Sequence, residues 1–189
     1  WDLVDDAFGR ICATPRRVVV TGAGPIGLLA ALLAVQRGLE THVLDLVTDG
    51  PKPQLVHDLG ATYHSDPLAA LGFEPDIVIE CTGVGALVFD AMRATSAPGV
   101  VCLTGVSPSG RRIEVDAGAL NTELVLENDI VLGSVNASHR HYELAGEALA
   151  RADRGWLERL ITRRIPLEDA VAALDRGGDD IKAVIDFTA

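Results

Sequence analysis

Three glycines at a fixed spacing, followed by one acidic residue, are the part of this chain best suited to chemistry. Gly22, Gly24 and Gly27 follow the apolar run Val18–Val20 and open an apolar helical segment. In such a Gly-x-Gly-x-x-Gly loop, the first glycine permits a tight turn and the second a close approach of backbone to a pyrophosphate. The third lets the helix pack against its own strand. The N–H groups at the helix start would then face the phosphates.

Asp45 ends the next apolar segment, which begins at Thr41. A carboxylate at this position can accept hydrogen bonds from a ribose diol, and it repels the 2′-phosphate that distinguishes NADP from NAD. Two like charges about 4 Å apart cost on the order of 4 kcal/mol at an effective dielectric near 20. The order strand, glycine loop, helix, strand and acid therefore predicts a dinucleotide-binding βαβ unit that prefers NAD. Two alternatives stay open: Lys52 could reach a phosphate, and Asp45 could be a plain turn residue.

Small and polar residues at later strand ends could complete this site, because the carboxyl ends of parallel strands meet at one edge of a sheet. We expect the end of the fifth strand to face the nicotinamide–ribose, and the backbone after the sixth to bond the nicotinamide carboxamide. On local sequence alone, a simple turn explains Thr104 to Val106 nearly as well, and Asn136 could equally be a turn residue or a cap near Ser138. The expected cofactor-binding residues are Gly22, Gly24, Pro25, Ile26, Gly27, Asp45, Leu46, Val47, Thr82, Thr104, Gly105, Val106, Ser134, Val135 and Asn136.

Composition and charge narrow the class of protein. The chain has 189 residues, of which 48% are hydrophobic, so it can bury a core and fits one domain plus an extension. Its net charge of −11 argues against nucleic acid or an anionic membrane as a partner, since both need a positive face. Cys12, Cys81 and Cys102 form no CxxC pair, and we interpret them as reduced, buried side chains of a cytoplasmic protein.

Six strand-like segments alternate with helical ones, which predicts an α/β fold. We expect a doubly wound, six-stranded parallel sheet of the Rossmann type, with helices on both faces in three α/β/α layers. A C-terminal extension follows, with helices predicted at Ser138–Asp153, Trp156–Thr162 and Leu167–Asp175, a turn at Gly177–Asp180 and a strand at Ile181–Phe187. The predicted sheet strands are Val18–Val20, Thr41–Asp45, Ala61–His64, Asp76–Cys81, Gly99–Gly105 and Asp129–Val135. The helices between them are predicted at Pro25–Arg37, Pro51–Gly60, Ala86–Thr95 and Ala117–Glu127.

Several separated motifs together resemble the C-terminal part of the zinc-dependent medium-chain dehydrogenases, most closely the glucose (aldose) dehydrogenase branch. The resemblance implies NAD(P)-dependent oxidation of an aldose at C1 to its lactone, and it implies a sugar contact for Asn136. It also implies that the catalytic zinc lies in an N-terminal domain that is missing here, so we expect this chain alone to bind nucleotide without catalysis. The motifs are Val20–Leu29, Asp45–Pro53, Glu80–Gly83, Leu103–Val106, Gly133–Asn136 with His141, and Ile181–Phe187.

The resemblance organises the chain into three parts. Residues 1–15 are expected to be the end of a helix and a connector from the missing domain, consistent with the absence of an initiator Met. Residues 16–153 form the NAD(P)-binding domain, and residues 154–189 an extension that packs on it or on the missing domain. Neither metal ligands nor catalytic residues are assigned, because the five histidines show no metal-ligand spacing; His139 and His141, two positions apart, do not share a helix face.

The remaining polar and aromatic residues are interpreted as structural. His42, His57 and His64 are taken as single surface or satisfied side chains, Arg111 and Arg112 as solvated, and Trp156 as packing. The sixth strand is apolar and should be a sheet edge, which favours a homodimer or homotetramer through that edge. The competing functions are an NAD(H)-sensing module, a methyltransferase and a dehydrogenase of another alcohol or polyol.

Overall fold

The computed structural model describes residues 1–11, 13–175, 177 and 180–188. Its main sheet has six parallel strands in the order β3-β2-β1-β4-β5-β6, which confirms the predicted doubly wound α/β fold. The strand order reverses between β1 and β4, so the crevice that binds ligands in such sheets lies at their carboxyl ends. The strands are β1 Arg17–Thr21, β2 Glu40–Leu44, β3 Thr62–His64, β4 Ile77–Glu80, β5 Val100–Leu103 and β6 Ile130–Gly133.

Helices connect the strands and cover both faces of the sheet. The helix after β1 begins at Pro25, whose fixed φ suits a first helical position, and it ends before Gly38, which has a positive φ of 74°. Among the described residues, no helix combines the length and the apolar character needed to cross a bilayer. The helices are α1 Asp2–Ile11, α2 Pro25–Gln36, α3 Pro51–Asp58, α4 Gly85–Arg93, α5 Ala117–Glu127, α6 His139–Arg151 and α7 Arg154–Arg159, with 3-10 segments at Leu68–Ala70 and Leu167–Leu174.

Two apolar clusters lie on opposite faces of the sheet. Successive residues of a strand point to opposite faces, so Val18 and Val20 belong to one cluster and Val19 to the other. The first cluster includes Val4 and Phe8 of α1, so the N-terminal segment contains a helix that packs into the core. Strands buried on both faces explain why the central segments of the sequence are continuously apolar.

The C-terminal segment differs from the prediction in one element. The helix expected to run to Thr162 ends at Arg159, and Ile161–Pro166 forms a strand, β7. It pairs in parallel with β8, Lys182–Asp186, in a separate two-stranded sheet; the predicted final strand is thereby confirmed. A strand is stabilised by its partner, and here the partner follows much later in the chain, so a local pattern could not identify β7. The segment predicted as a helix from Leu167 is a 3-10 helix.

Trp156 has the packing role that was predicted for it. Its side chain is buried in the same cluster as α3, and the indole N–H donates to the carbonyl of Leu55 at 2.8 Å. Cys102 is buried, Cys81 is half-buried and both are free thiols, as expected. Cys12 and part of the turn predicted at Gly177–Asp180 lie outside the described residues.

Candidate functional site

All fifteen predicted cofactor-binding residues lie at the carboxyl ends of β1, β2, β4, β5 and β6, or in the turn and helix start that follow β1. Backbone hydrogen bonds join neighbouring strand ends. The N–H of Gly22 donates to the carbonyl of Leu44 at 2.7 Å, and the N–H of Ser134 donates to that of Leu103 at 2.9 Å. Residues far apart in the sequence thus form one continuous edge.

The three glycines of the loop meet different constraints. Gly22 has a positive φ of 91°, and a Cβ there would lie 2.9 Å from Cγ2 of Thr82. A Cβ on Gly27 would overlap the carbonyl oxygen of Gly22, so α2 can pack this closely only without a side chain at that position. A Cβ on Gly24 would meet no heavy atom of the protein within 4 Å. The fold therefore requires Gly22 and Gly27, whereas Gly24 leaves open space at the start of α2.

Asp45 is bonded to the loop from the end of β2. Its Oδ2 accepts from the N–H of Ala23 at 2.6 Å and its Oδ1 from the N–H of Val47 at 3.1 Å, while the Lys52 ammonium lies 3.1 Å from Oδ2. Burial alone would raise the pKa of Asp45, but these two backbone donors and Lys52 outweigh it and lower the pKa. The ionised carboxylate therefore stabilises the fold above its unfolded pKa of about 4, and this contribution is lost as the pH falls through the lower folded pKa.

Tyr63 holds the segment after Asp45, and sequence reasoning did not identify it. Its hydroxyl donates to the carbonyl of Val47, two residues beyond the acid. Burial, together with the charge of Asp45, raises the pKa of Tyr63 to about 12, so the hydroxyl stays a donor at neutral pH. No local pattern links residues 47 and 63, because the contact depends on the parallel pairing of β2 with β3.

The loops after β4 and β5 touch backbone to backbone. Gly83 has a positive φ of 67°, and a Cβ there would lie 2.5 Å from the carbonyl oxygen of Val106. The hydroxyl of Thr104 donates to the carbonyl of Glu80 at 2.9 Å and lies 3.2 Å from Sγ of Cys81. Burial raises the pKa of the Cys81 thiol to about 11, so it is not a thiolate nucleophile at neutral pH.

Four of the predicted cofactor-binding residues have large apolar side chains that remain exposed along this edge. Their exposed fractions are 59% for Ile26, 87% for Leu46, 80% for Val106 and 82% for Val135. Flat, mainly apolar ligand groups such as nucleobase rings are commonly held between side chains of this kind. The edge thus combines a backbone cradle, a carboxylate and apolar walls.

The helix after β6 is capped by Ser138 rather than by Asn136. Ser138 is the N-cap of α6, and its backbone N–H donates to Nδ1 of His141 at 3.0 Å. Asn136 is exposed. Residues 134–137 also line a cavity of about 320 Å³ whose other walls come from α1, α2 and α6.

Two histidines that are far apart in the sequence, His42 and His64, form a pair, so both are satisfied polar side chains, one of the two predicted alternatives, although the pairing itself was not predicted. Nδ1 of His42 lies 2.9 Å from Nε2 of His64 because β2 and β3 are neighbours in the sheet, and Nε2 of His42 lies 3.1 Å from Glu40. Burial, and then the nearby His42, lowers the pKa of His64. His57 is exposed, as are Arg111 and Arg112, in agreement with their predicted surface positions.

His139 and His141 bind different carboxylates. His139 lies 3.4 Å from Glu143, whereas His141 lies 3.3 Å from Asp2. Within the described part of the chain, no three or more His, Cys, Asp or Glu side chains are grouped so that they could hold a metal ion.

Comparison with known proteins identifies relatives over nearly the whole chain. A family model described as "Glucose dehydrogenase C-terminus" matches residues 1–187. The glucose 1-dehydrogenase of Methanocella arvoryzae is 34% identical over 190 residues, which cover 95% of this chain and 53% of that protein. Glucose 1-dehydrogenase 2 of Vulcanisaeta moutnovskia is 38% identical over 177 residues, which cover 92% of this chain and 51% of that protein. The chain thus spans about half the length of the curated relatives that it matches.

Solved structures agree with the fold. The glucose dehydrogenase of Haloferax mediterranei in complex with NADP, Zn and gluconolactone superposes with a TM-score of 0.90 at 29% identity, covering 100% of this chain and 55% of that one. A zinc-binding dehydrogenase of Sinorhizobium meliloti bound to NADP has a TM-score of 0.75 at 27% identity. The match covers 91% of this chain and 52% of that one.

Proposed function

Because this chain belongs to the family described as Glucose dehydrogenase C-terminus, we propose that it is the nucleotide-binding part of an NAD(P)-dependent oxidoreductase. Joined to a catalytic domain, the whole protein would oxidise an aldose such as glucose at C1 to its lactone by hydride transfer. The observation that carries the proposal is the backbone cradle at the start of α2, where Gly24 leaves open space beside the Asp45 carboxylate.

The residues present fit a dinucleotide. The free N–H groups at the start of α2 would receive the pyrophosphate, since Gly24 has no side chain to block it. The Asp45 carboxylate has acceptor sites beyond those used by Ala23 and Val47, and these would accept the ribose hydroxyls. The exposed apolar side chains along the edge would contact the rings. When bound, the nicotinamide ring supplies the hydride acceptor.

The other predicted site residues receive roles in the same proposal. The backbone of Thr82 and of Thr104–Val106 would face the nicotinamide–ribose, and that of Ser134 and Val135 the carboxamide. Asn136, exposed after β6, would contact the sugar. The catalytic zinc is proposed to lie in the N-terminal domain of the whole protein, and no catalytic residue is assigned to this chain.

NAD is proposed as the preferred cofactor, although the two structural relatives named above carry NADP. Support comes from the lowered pKa of Asp45, which keeps its charge at neutral pH, and from the uncharged Leu46 and Val47 that follow it. Lys52 offsets part of that charge, at 3.1 Å from Oδ2. A carboxylate shared with one ammonium still disfavours a 2′-phosphate, though less than an unpaired one would.

Titration of the chain with NADH, NADPH and S-adenosylmethionine tests both the function and the preference. We expect NADH to bind most tightly; failure to bind NADH, or preferential binding of S-adenosylmethionine, contradicts the proposal. The double variant Asp45→Ala/Leu46→Arg should bind NADPH roughly tenfold better relative to NADH, because it replaces a repulsive charge with an attractive one. Asp49→Ala, which removes an exposed acid from the same loop, is the matched control and should not change the preference.

A homodimer or homotetramer through β6 is proposed as the assembly. β6 is an edge strand of the described sheet and is apolar. The N–H groups of Ile130 and Ser134 donate toward β5, so by alternation that of Val131 faces the open edge. We expect a dimer or larger species in light scattering, and we expect Val131→Pro to shift it toward monomer without breaking the β5–β6 ladder. A monomeric wild-type chain would contradict the proposal.

A further inference from the structure

Glu80, the last residue of β4, is a fully buried acid beneath the candidate site. Its relative exposure is 0%, although it ends a strand of otherwise apolar residues. Acidic side chains are almost never fully buried unless they are paired. Among the described residues, no Lys, Arg or His forms an ion pair with it. Its carboxyl group is therefore held by hydrogen bonds.

The groups around the Glu80 carboxyl are donors. Oε1 accepts from the backbone N–H of Thr82 at 2.7 Å and from the backbone N–H of Gly83 at 3.0 Å. Oε2 lies 3.1 Å from the same Gly83 nitrogen. The Thr82 hydroxyl also donates to Oε1, and the Thr21 hydroxyl lies at 3.5 Å. Backbone N–H donors cannot act as acceptors, so this environment suits a carboxylate rather than a neutral acid.

The carboxylate lies directly against the end of β5. A Cβ built on Gly105 would lie 2.7 Å from Oε2 of Glu80, so only glycine leaves room for this carboxylate. The carbonyl of Glu80 also accepts from the N–H groups of Thr104 at 2.8 Å and Gly105 at 3.0 Å. One residue thus binds the loops after β4 and β5 and places a negative charge below the backbone that they expose.

We propose that the Glu80 carboxylate favours the oxidised nicotinamide over the reduced one in this cleft. The inference rests on the proposed function, in which the ends of β4 and β5 face the nicotinamide–ribose. The oxidised ring carries a positive charge and the reduced ring is neutral, so a buried anion stabilises only the former. At an effective dielectric near 20, two unit charges about 10 Å apart interact strongly enough to change the affinity for a charged ligand by roughly tenfold.

Glu80→Gln tests this inference because it removes the charge with little change of shape. The amide oxygen can still accept from Thr82 and Gly83, so we expect a folded protein, checked by circular dichroism. The ratio of the Kd for NAD⁺ to the Kd for NADH should rise about tenfold, with the Kd for NADH and for ADP-ribose within about twofold of wild type. Equal weakening of NAD⁺, NADH and ADP-ribose would overturn the proposal, because it would show a structural role alone.

Thr21→Val is the matched control. It removes a buried hydroxyl that faces Glu80 but keeps the carboxylate, so the ratio of the two Kd values should stay at the wild-type value. If Glu80→Gln does not fold, Glu80→Asp takes its place. It keeps the charge, so a tenfold change in its ratio of the two Kd values contradicts the proposal. A wild-type chain that binds neither NAD⁺ nor NADH refutes the proposed function itself, which is a separate outcome.

Discussion

Replacement of Gly27 with alanine is expected to destabilise the fold and to weaken nucleotide binding strongly. The added Cβ would overlap the carbonyl oxygen of Gly22, which belongs to a loop with little freedom because Gly22 itself has a φ of 91°. Backbone cannot rotate away as a flexible side chain can, so the loop and the start of α2 must separate. We expect a loss of about 1–3 kcal/mol in the free energy of unfolding, and a loss of NADH affinity on the order of 100-fold from the displaced cradle.

Gly24→Ala is the control for this variant. Gly24 has a φ of −82°, which any residue adopts, and a Cβ there would meet no protein atom within 4 Å. Its melting temperature should therefore stay within about 2 °C of wild type, while its NADH affinity falls because the methyl group occupies the space left for the pyrophosphate. A Gly27→Ala protein that melts like wild type would show that the loop can adjust. Unchanged NADH binding by Gly24→Ala would show that the pyrophosphate does not bind at this position.

Trp156→Ala is expected to lower the free energy of unfolding by about 3–5 kcal/mol, the usual cost of truncating a large buried aromatic side chain. The ring is 3% exposed, packs in the main cluster, and donates from its indole N–H to Leu55 of α3 at 2.8 Å. For a chain of this length, such a loss corresponds to a decrease of roughly 10 °C in melting temperature. Thermal unfolding followed by circular dichroism measures it.

Trp156→Phe distinguishes the contribution of the aromatic ring to stability from that of its hydrogen bond. It keeps most of the apolar contact and leaves the Leu55 carbonyl without its donor, so it should cost only about 1–2 kcal/mol. Together the two variants test the proposal that residues 154–189 pack on the nucleotide-binding part. A Trp156→Ala protein with wild-type stability would show that α7 does not contribute to that core.

The candidate site combines residues that stabilise the fold with residues left free for a ligand. Gly27 is enclosed by backbone, so its substitution should act on the stability of the loop as well as on binding. Gly24 and Leu46 face open space or solvent, so their substitution should act on binding alone. Thermal melts and nucleotide titrations, carried out on the same variants, therefore distinguish residues that act on stability from residues that act on binding alone.

The predictions that succeeded from sequence were those that depend on local order along the chain. The glycine loop, α2 and Asp45 follow one another within a single βαβ unit, so their spacing alone defines the geometry of the turn and of the strand end. The alternation of apolar strands with helices was enough to predict a parallel sheet, since parallel strands need crossover helices. The bounds of α5, predicted at Ala117–Glu127, agree with the structure.

The features that sequence reasoning missed depend on contacts between distant residues. β7 exists because β8 pairs with it, and the pair of His42 with His64 exists because β2 and β3 are neighbours. The same applies to Tyr63, whose hydroxyl reaches Val47 across that strand pair. In each case neither segment shows the contact by itself, because hydrogen-bond partners are decided only when the strands pack.

Glu80 shows the limit of what the sequence alone predicts about this protein. From the sequence it is a charged residue at the end of an apolar strand, which a surface turn would explain equally well. Only the packed loops after β4 and β5 surround its carboxylate with donors and bury it completely. The sequence by itself determined the fold class, the glycine loop after β1 and the acid beside it, because each depends on residues close in the chain. The tertiary structure alone decided the burial of the Glu80 carboxyl beneath the loops after β4 and β5, because burial and hydrogen bonding depend on the whole sheet.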